Sequence, residues 1–243
     1  MSANTSAYDP TILTDDKATL AVPAPEYVAA VDPLLGSVVK ATYGILRCIG
    51  EGGMARVYEA SHQRIPSKRF ALKVLNADLA RIPELAARFE REAFAAAQID
   101  HPGVVTVHDV GRVQDGRPFI AYEHLEGSDL GELVKRSGRP SLATAVRIVR
   151  QAAEALGAAH ARGVTHRDVK PENLFVTGSA QSPRVKVLDF GISKMDDALG
   201  SSLTQTGAVL GTPAYMSPEQ ARGEKVERAT DIYSLGAVLY RLV

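Results

Sequence analysis

Residues 166–191 read HRDVKPENLFVTGSAQSPRVKVLDFG. Two short apolar runs, LFV and VKVL, flank the turn-rich stretch TGSAQSPR, which fits an antiparallel hairpin. In such a hairpin the start of the first strand neighbours the end of the second. Asn173 precedes the first strand and Asp189 follows the second, so the two should meet at the open end. An amide oxygen and a carboxylate are hard oxygen ligands suited to Mg2+. Asp168 stands five residues before Asn173, close to the same spot. Taken singly, HRD reads equally as a surface loop and DFG as a turn. Together, in this order, they argue for one shared site.

A second constraint lies upstream, where residues 49–58 read IGEGGMARVY. A dinucleotide-binding glycine turn runs from a strand into a helix. Here the glycines lead instead into Val57, Tyr58, Glu59 and Ala60 and then the turn SHQRIPSK, which reads as a second strand. A P-loop needs GK[ST] after its glycines, and that is absent. What remains is a strand–glycine–strand hairpin, either covering phosphates with its backbone or simply flexible.

The strand RFALKVL that follows places Phe70, Leu72 and Val74 on one face and Ala71 and Lys73 on the other. A helix near 84–99 carries Leu85, Phe89, Ala96 and Ile99 on one stripe, and Glu92 falls on that stripe. A carboxylate among apolar neighbours needs a partner. Lys73 is the natural candidate; the alternative is a solvated Glu92 paired with Arg88 one turn away.

Formal charge is balanced, 28 basic against 28 acidic residues, so no global field points to nucleic acid or an acidic membrane. The one cysteine, Cys48, excludes an intrachain disulfide and suits a cytoplasmic setting. No histidine pairs with another, or with cysteine, at zinc spacing. The start, MSANTSAYDPTILTDD, is polar and acidic, unlike a secretory signal, and no run of about 18 apolar residues spans a bilayer. Residues 1–40 are rich in Ala, Pro, Thr and Asp and read as a disordered leader. Residues 41–126 alternate strand-like runs with turns, and residues 127–243 are mostly helix-like, ending in a helix that starts near Asp231.

With these motifs in order, the chain over about residues 41–243 resembles the Hanks-type protein kinases, and within them the bacterial serine/threonine kinases, whose loop reads GGMxxVY as Gly52–Tyr58 do. The resemblance implies an α+β, bilobal fold, a strand-rich N-lobe followed by a helix-rich C-lobe. It implies ATP and Mg2+ as cofactors and protein Ser/Thr hydroxyls as acceptors. Ile49, Gly50, Gly52, Gly53, Val57, Ala71 and Phe175 would enclose ATP, while Glu123 and Leu125 would bind adenine through their backbones, after a gatekeeper at Tyr122. Asp129 would reach the ribose, and Lys73, oriented by Glu92, would hold the α- and β-phosphates. Asp168 would take the hydroxyl proton, Lys170 would steady the γ-phosphoryl, and Asn173 and Asp189 would hold Mg2+. Thr204 and Thr206 become candidate phosphorylation sites, with Arg167 placed to meet a phosphothreonine.

The sequence departs from the family in two places. Ala55 stands where a third glycine is usual, at a cost of about 1–2 kcal/mol if that position needs positive φ, unless Gly53 supplies the freedom. The family's helices beyond the last one are missing after Val243, so the C-lobe should be incomplete. Leu235, Val238, Leu239 and Leu242 form an apolar stripe at helical spacing; without those helices it should be exposed and prone to self-association. Two other functions therefore compete with a working kinase. One is a truncated, catalytically weak nucleotide- or partner-binding module. The other is a small-molecule phosphotransferase, against which the segment ending GTPAYMSPEQ argues.

Overall fold

The computed structural model describes residues 32–179, 181–190 and 213–243, and Glu92 through its backbone alone. Alternating apolar and polar residues build strands β1 (Val38–Val39), β2 (Tyr43–Glu51), β3 (Ala55–His62), β4 (Ile65–Leu75), β5 (Val107–Arg112) and β6 (Pro118–Glu123). They form an antiparallel sheet in the order β1-β2-β3-β4-β6-β5. Period-two alternation sorts the core onto its two faces. Phe70, Leu72, Val74, Phe119 and Ala121 pack together on one side. Ile120 and Tyr122 pack on the other, against Leu85, Phe89 and Ala93 of α2 (Pro83–Ala97), which follows the short α1 (Ala77–Ala80).

Residues 34–40, expected to belong to a disordered leader, are instead part of the sheet. Leu34 and Val39 are buried in the sheet's core, and β1 pairs with β2 through Val38–Gly44 and Val39–Tyr43. Gly36 N–H donates to Ile45 O and Ile45 N–H to Ser37 O, at 3.0 and 2.9 Å. Two buried apolar side chains are enough to fix so short a strand, though too few to make a periodic signal.

Beyond β6 the chain enters a second sheet, β7-β8-β9, of Gly127–Asp129, Leu174–Ser179 and Ser182–Val187. Gly127 has φ 152°, and a Cβ there would lie 2.1 Å from Val176 O, so only glycine fits this junction. The hairpin read from LFV and VKVL is present, with Leu174 opposite Val187. Helices α3 (Leu130–Ser137) and α4 (Leu142–Ala161) follow β7. Both begin on the side-chain caps that their sequences offer, Asp129 accepting from Glu132 N–H and Ser141 from Thr144 N–H. The face Ala145, Ile148, Ala152, Ala155, Leu156 and Ala159 buries α4.

The terminal helix, Ala229–Leu242, docks on α4. Here the exposed stripe expected at Leu235–Leu242 is overturned. Leu235, Val238 and Leu242 are buried, with Leu239 packed beside them, because α4 offers them an apolar face of small residues. The self-association surface expected there is therefore already used inside the fold. Ile232, Tyr233, Tyr240 and Val243 are the exposed apolar residues of this end.

Candidate active site

The loop from His166 to Asn173 is held from several directions. Asp231, fully buried at the start of the terminal helix, accepts His166 N–H at 2.8 Å and Arg167 N–H at 2.7 Å, one on each carboxylate oxygen. His160 Nε2, from α4, meets the same carboxylate at 2.7 Å. Gln220 Nε2 donates to Arg167 O at 2.7 Å. The buried His166 ring accepts Asp168 N–H on Nδ1 and donates from Nε2 to Leu188 O at 2.7 Å, while packing on Phe190. Sequence reasoning placed Asp231 at a helix start and missed His160 and Gln220, whose partners lie tens of residues away.

So braced, the loop places three expected side chains together. Lys170 Nζ lies 2.7 Å from Asp168 Oδ2. Asn173 Nδ2 donates to Asp168 O at 2.7 Å and to Oδ2 at 3.1 Å. Leu188 N–H donates to Asn173 O at 2.9 Å, which fixes the open end of the hairpin beside Asp189. Asn173 uses its amide nitrogen inward, and among the described residues its Oδ1 and Asp189 Oδ2 have no partner. That leaves two hard oxygens, the donor type that suits Mg2+.

Lys73, on β4, pairs with Asp189 Oδ1 at 2.6 Å. This partner was not the one suggested by spacing, and the Glu92 side chain lies outside the described residues. Asp189 itself has φ 57° and Arg167 φ 70°, in the left-handed region that non-glycine residues rarely adopt.

A cleft of about 250 Å³ opens between the two sheets. Ile49, Gly50, Val57, Ala71 and Lys73 line it from the large sheet. Glu123 and Leu125 line it at the crossover, and Asp129, Phe175 and Asp189 from below. Tyr122 joins them, with Val105, His124, Glu172 and Leu188, which sequence reasoning did not name. Glu123 N–H is committed to Thr106 O at 3.0 Å. Its carboxylate accepts from Lys186 Nζ at 2.6 Å and Thr106 N–H at 2.8 Å. Burial pushes this carboxyl up, but the Lys186 ammonium and the Thr106 N–H outweigh it and hold the group below its usual value.

Gly52 and Gly53 do not line the cleft; they form the turn between β2 and β3. The cost expected at Ala55 does not arise. Ala55 pairs with Leu75 in the ladder, and neither it nor Gly53 has positive φ. Thr204 and Thr206 lie outside the described residues.

Comparison with known proteins agrees with this geometry. The protein kinase domain family model matches residues 43–243. The chain therefore belongs to the protein kinase domain family. It is 43% identical over 215 residues to serine/threonine-protein kinase pkn3 of Myxococcus xanthus, covering 87% of this chain and 39% of that protein. It is 42% identical to serine/threonine-protein kinase PknA of Mycobacterium tuberculosis, covering 87% and 48%. The chain thus spans less than half the length of these curated relatives. The crystal structure of the Mycobacterium tuberculosis PknI kinase domain matches with TM-score 0.66 at 31% identity, over 86% of this chain and 76% of that one. Among the described residues no helix is long and apolar enough to cross a membrane.

Proposed function

We propose that the chain is an ATP-dependent protein serine/threonine kinase acting in the cytoplasm. The observation that carries this reading is the Asp168–Lys170–Asn173 cluster, braced on the buried Asp231 and facing the Lys73–Asp189 pair. Position and charge neutralisation are what a loose phosphoryl transition state demands, and this cluster supplies both.

In the proposed reaction the acceptor hydroxyl approaches Asp168, whose Oδ1 has no partner among the described residues. The hydroxyl oxygen bonds to the γ-phosphorus as the bond to the β–γ bridging oxygen breaks. ADP leaves, and the hydroxyl proton passes to Asp168. Lys170, already 2.7 Å from Asp168, bridges the carboxylate and the transferred group. Lys73 holds the α- and β-phosphates. Asn173 and Asp189 would hold Mg2+, which supplies neutralisation of the phosphate charge. Adenine would sit between Val57 and Ala71 on one side and Phe175 on the other, with Leu125 offering its backbone. Because Glu123 N–H is spent on Thr106, that residue would contribute its carbonyl. Thr204 and Thr206 are proposed as autophosphorylation sites, with the Arg167 guanidinium as the phosphate's partner.

The test is autophosphorylation of this chain with Mg2+ and labelled ATP, beside Asp168→Asn, with sites mapped by mass spectrometry. Label on Thr204 or Thr206 only with Asp168 intact is the expected result. A folded chain that takes no label overturns catalysis and leaves a nucleotide- or partner-binding module.

A further inference from the structure

Asn76 sits where β4 ends and α1 begins, three residues after Lys73. It occupies the N-cap position, yet its side chain makes no capping hydrogen bond. Asparagine is a good N-cap because its oxygen accepts a first-turn N–H. Here the side chain turns instead to the glycine stretch. Nδ2 donates to Gly52 O at 3.0 Å and to Gly53 O at 2.9 Å. The Asn76 backbone N–H donates to Met54 O at 2.9 Å. Three successive carbonyls are thus gathered by one residue.

That arrangement has a consequence for the opposite side of the turn. In an extended strand successive carbonyls alternate in direction. In a trans peptide the N–H points away from its own carbonyl, and the described chain has no cis bond. Holding Gly52 O and Gly53 O toward Asn76 therefore turns the Gly53 and Met54 N–H groups away from it, onto a common side. Among the described residues neither N–H has an acceptor. Successive N–H groups sharing a side make an anion-binding concavity. Gly53 adds open space, since a Cβ there would meet nothing within 4 Å. Met54 packs its side chain against the cluster of Leu75, Leu85 and Phe89, so the turn is also seated on the α2 side.

We infer that Asn76 is a positioning residue for phosphate binding: it fixes the 52–54 turn so that the Gly53 and Met54 N–H groups face the β- and γ-phosphates of a nucleoside triphosphate. This rests on the ATP reading above and adds a residue to it. Lys73 and Asn76 share one strand end, so the cation for the α- and β-phosphates and the N–H groups for the β- and γ-phosphates are held in register by β4.

The experiment compares ATP and adenosine binding by calorimetry, on this chain and on Asn76→Ser and Asn76→Ala. Serine keeps the N-cap chemistry and the neutral charge but cannot reach two carbonyls, and Asn76 is only partly buried, so the fold survives. Both variants keep the backbone N–H to Met54. ATP affinity should fall roughly tenfold, the scale of two lost hydrogen bonds. Adenosine affinity should stay within about twofold, because adenosine has no phosphates for the turn to meet. Unchanged ATP affinity in both variants overturns the assignment. So does an equal fall for ATP and adenosine, which would mark a general structural role. In either case the wild-type preference for ATP over adenosine would leave the nucleotide reading standing. A wild-type chain that binds neither overturns that reading, and this assignment with it.

Discussion

Arg167 is held at φ 70° between two commitments, its N–H to Asp231 and its carbonyl to Gln220. A non-glycine residue in that region costs of order 1–3 kcal/mol and persists only where its surroundings over-determine it. Asp231 does this by giving each of two adjacent N–H groups its own oxygen. Asp231→Asn should therefore leave one buried N–H facing an NH2 group. We expect a loss of about 2–4 kcal/mol, from an unsatisfied buried donor and the loss of the charged acceptor that it had. The urea midpoint measures it, and the proposed phosphoryl transfer should fall further than stability alone explains. Side chains within the HRD and DFG stretches were legible in the sequence because their spacing is local. His160, Gln220 and Asn76 were not, because each bonds to backbone or buried groups that only the tertiary fold brings near.

At the scale of elements, the Glu123 carboxylate joins three of them: the end of β6, the segment before β5, and β9 through Lys186. Its pKa is depressed in the folded state, so its contribution to stability is present above the ordinary value of 4.5 and is lost as pH falls through the folded value. The stability difference between wild type and Glu123→Gln should accordingly be largest near neutral pH and shrink below about pH 4.5, as followed by urea unfolding at stepped pH. An unchanging difference down to pH 3 would exclude a depressed carboxyl. Helices α3 and α4 and the hairpin β8–β9 could be read from period and turn composition. The Glu123–Lys186 pair could not, because a lone lysine in VKVL carries no sign of which element it will face.

For the whole molecule, the change from strand-rich to helix-rich chain was visible in the sequence. The packing of residues 33–40 was not, because a two-residue strand and one more buried leucine leave no periodicity to detect. A chain beginning at residue 41 should be less stable than one beginning at residue 33. Removing Leu34 and Val39 from the core exposes about two aliphatic side chains' worth of surface, roughly 3–5 kcal/mol. Parallel urea titrations of the two chains give the difference directly; equal midpoints would mean that β1 contributes nothing to the sheet.

The buried Asp231 also sets a timetable. Arg167 and Asp231 are separated by 64 positions, and the carboxylate arrives on the last helix described. Chains leave the ribosome from the N-terminus at about 5–20 residues per second, and contacts of long sequence separation form late. The large sheet and its cleft wall can be complete while the His166–Asn173 loop still lacks its brace. During synthesis, then, the large sheet is ready several seconds before the loop can hold its braced geometry, and under the proposed function a nascent chain should remain idle until Asp231 has emerged and docked.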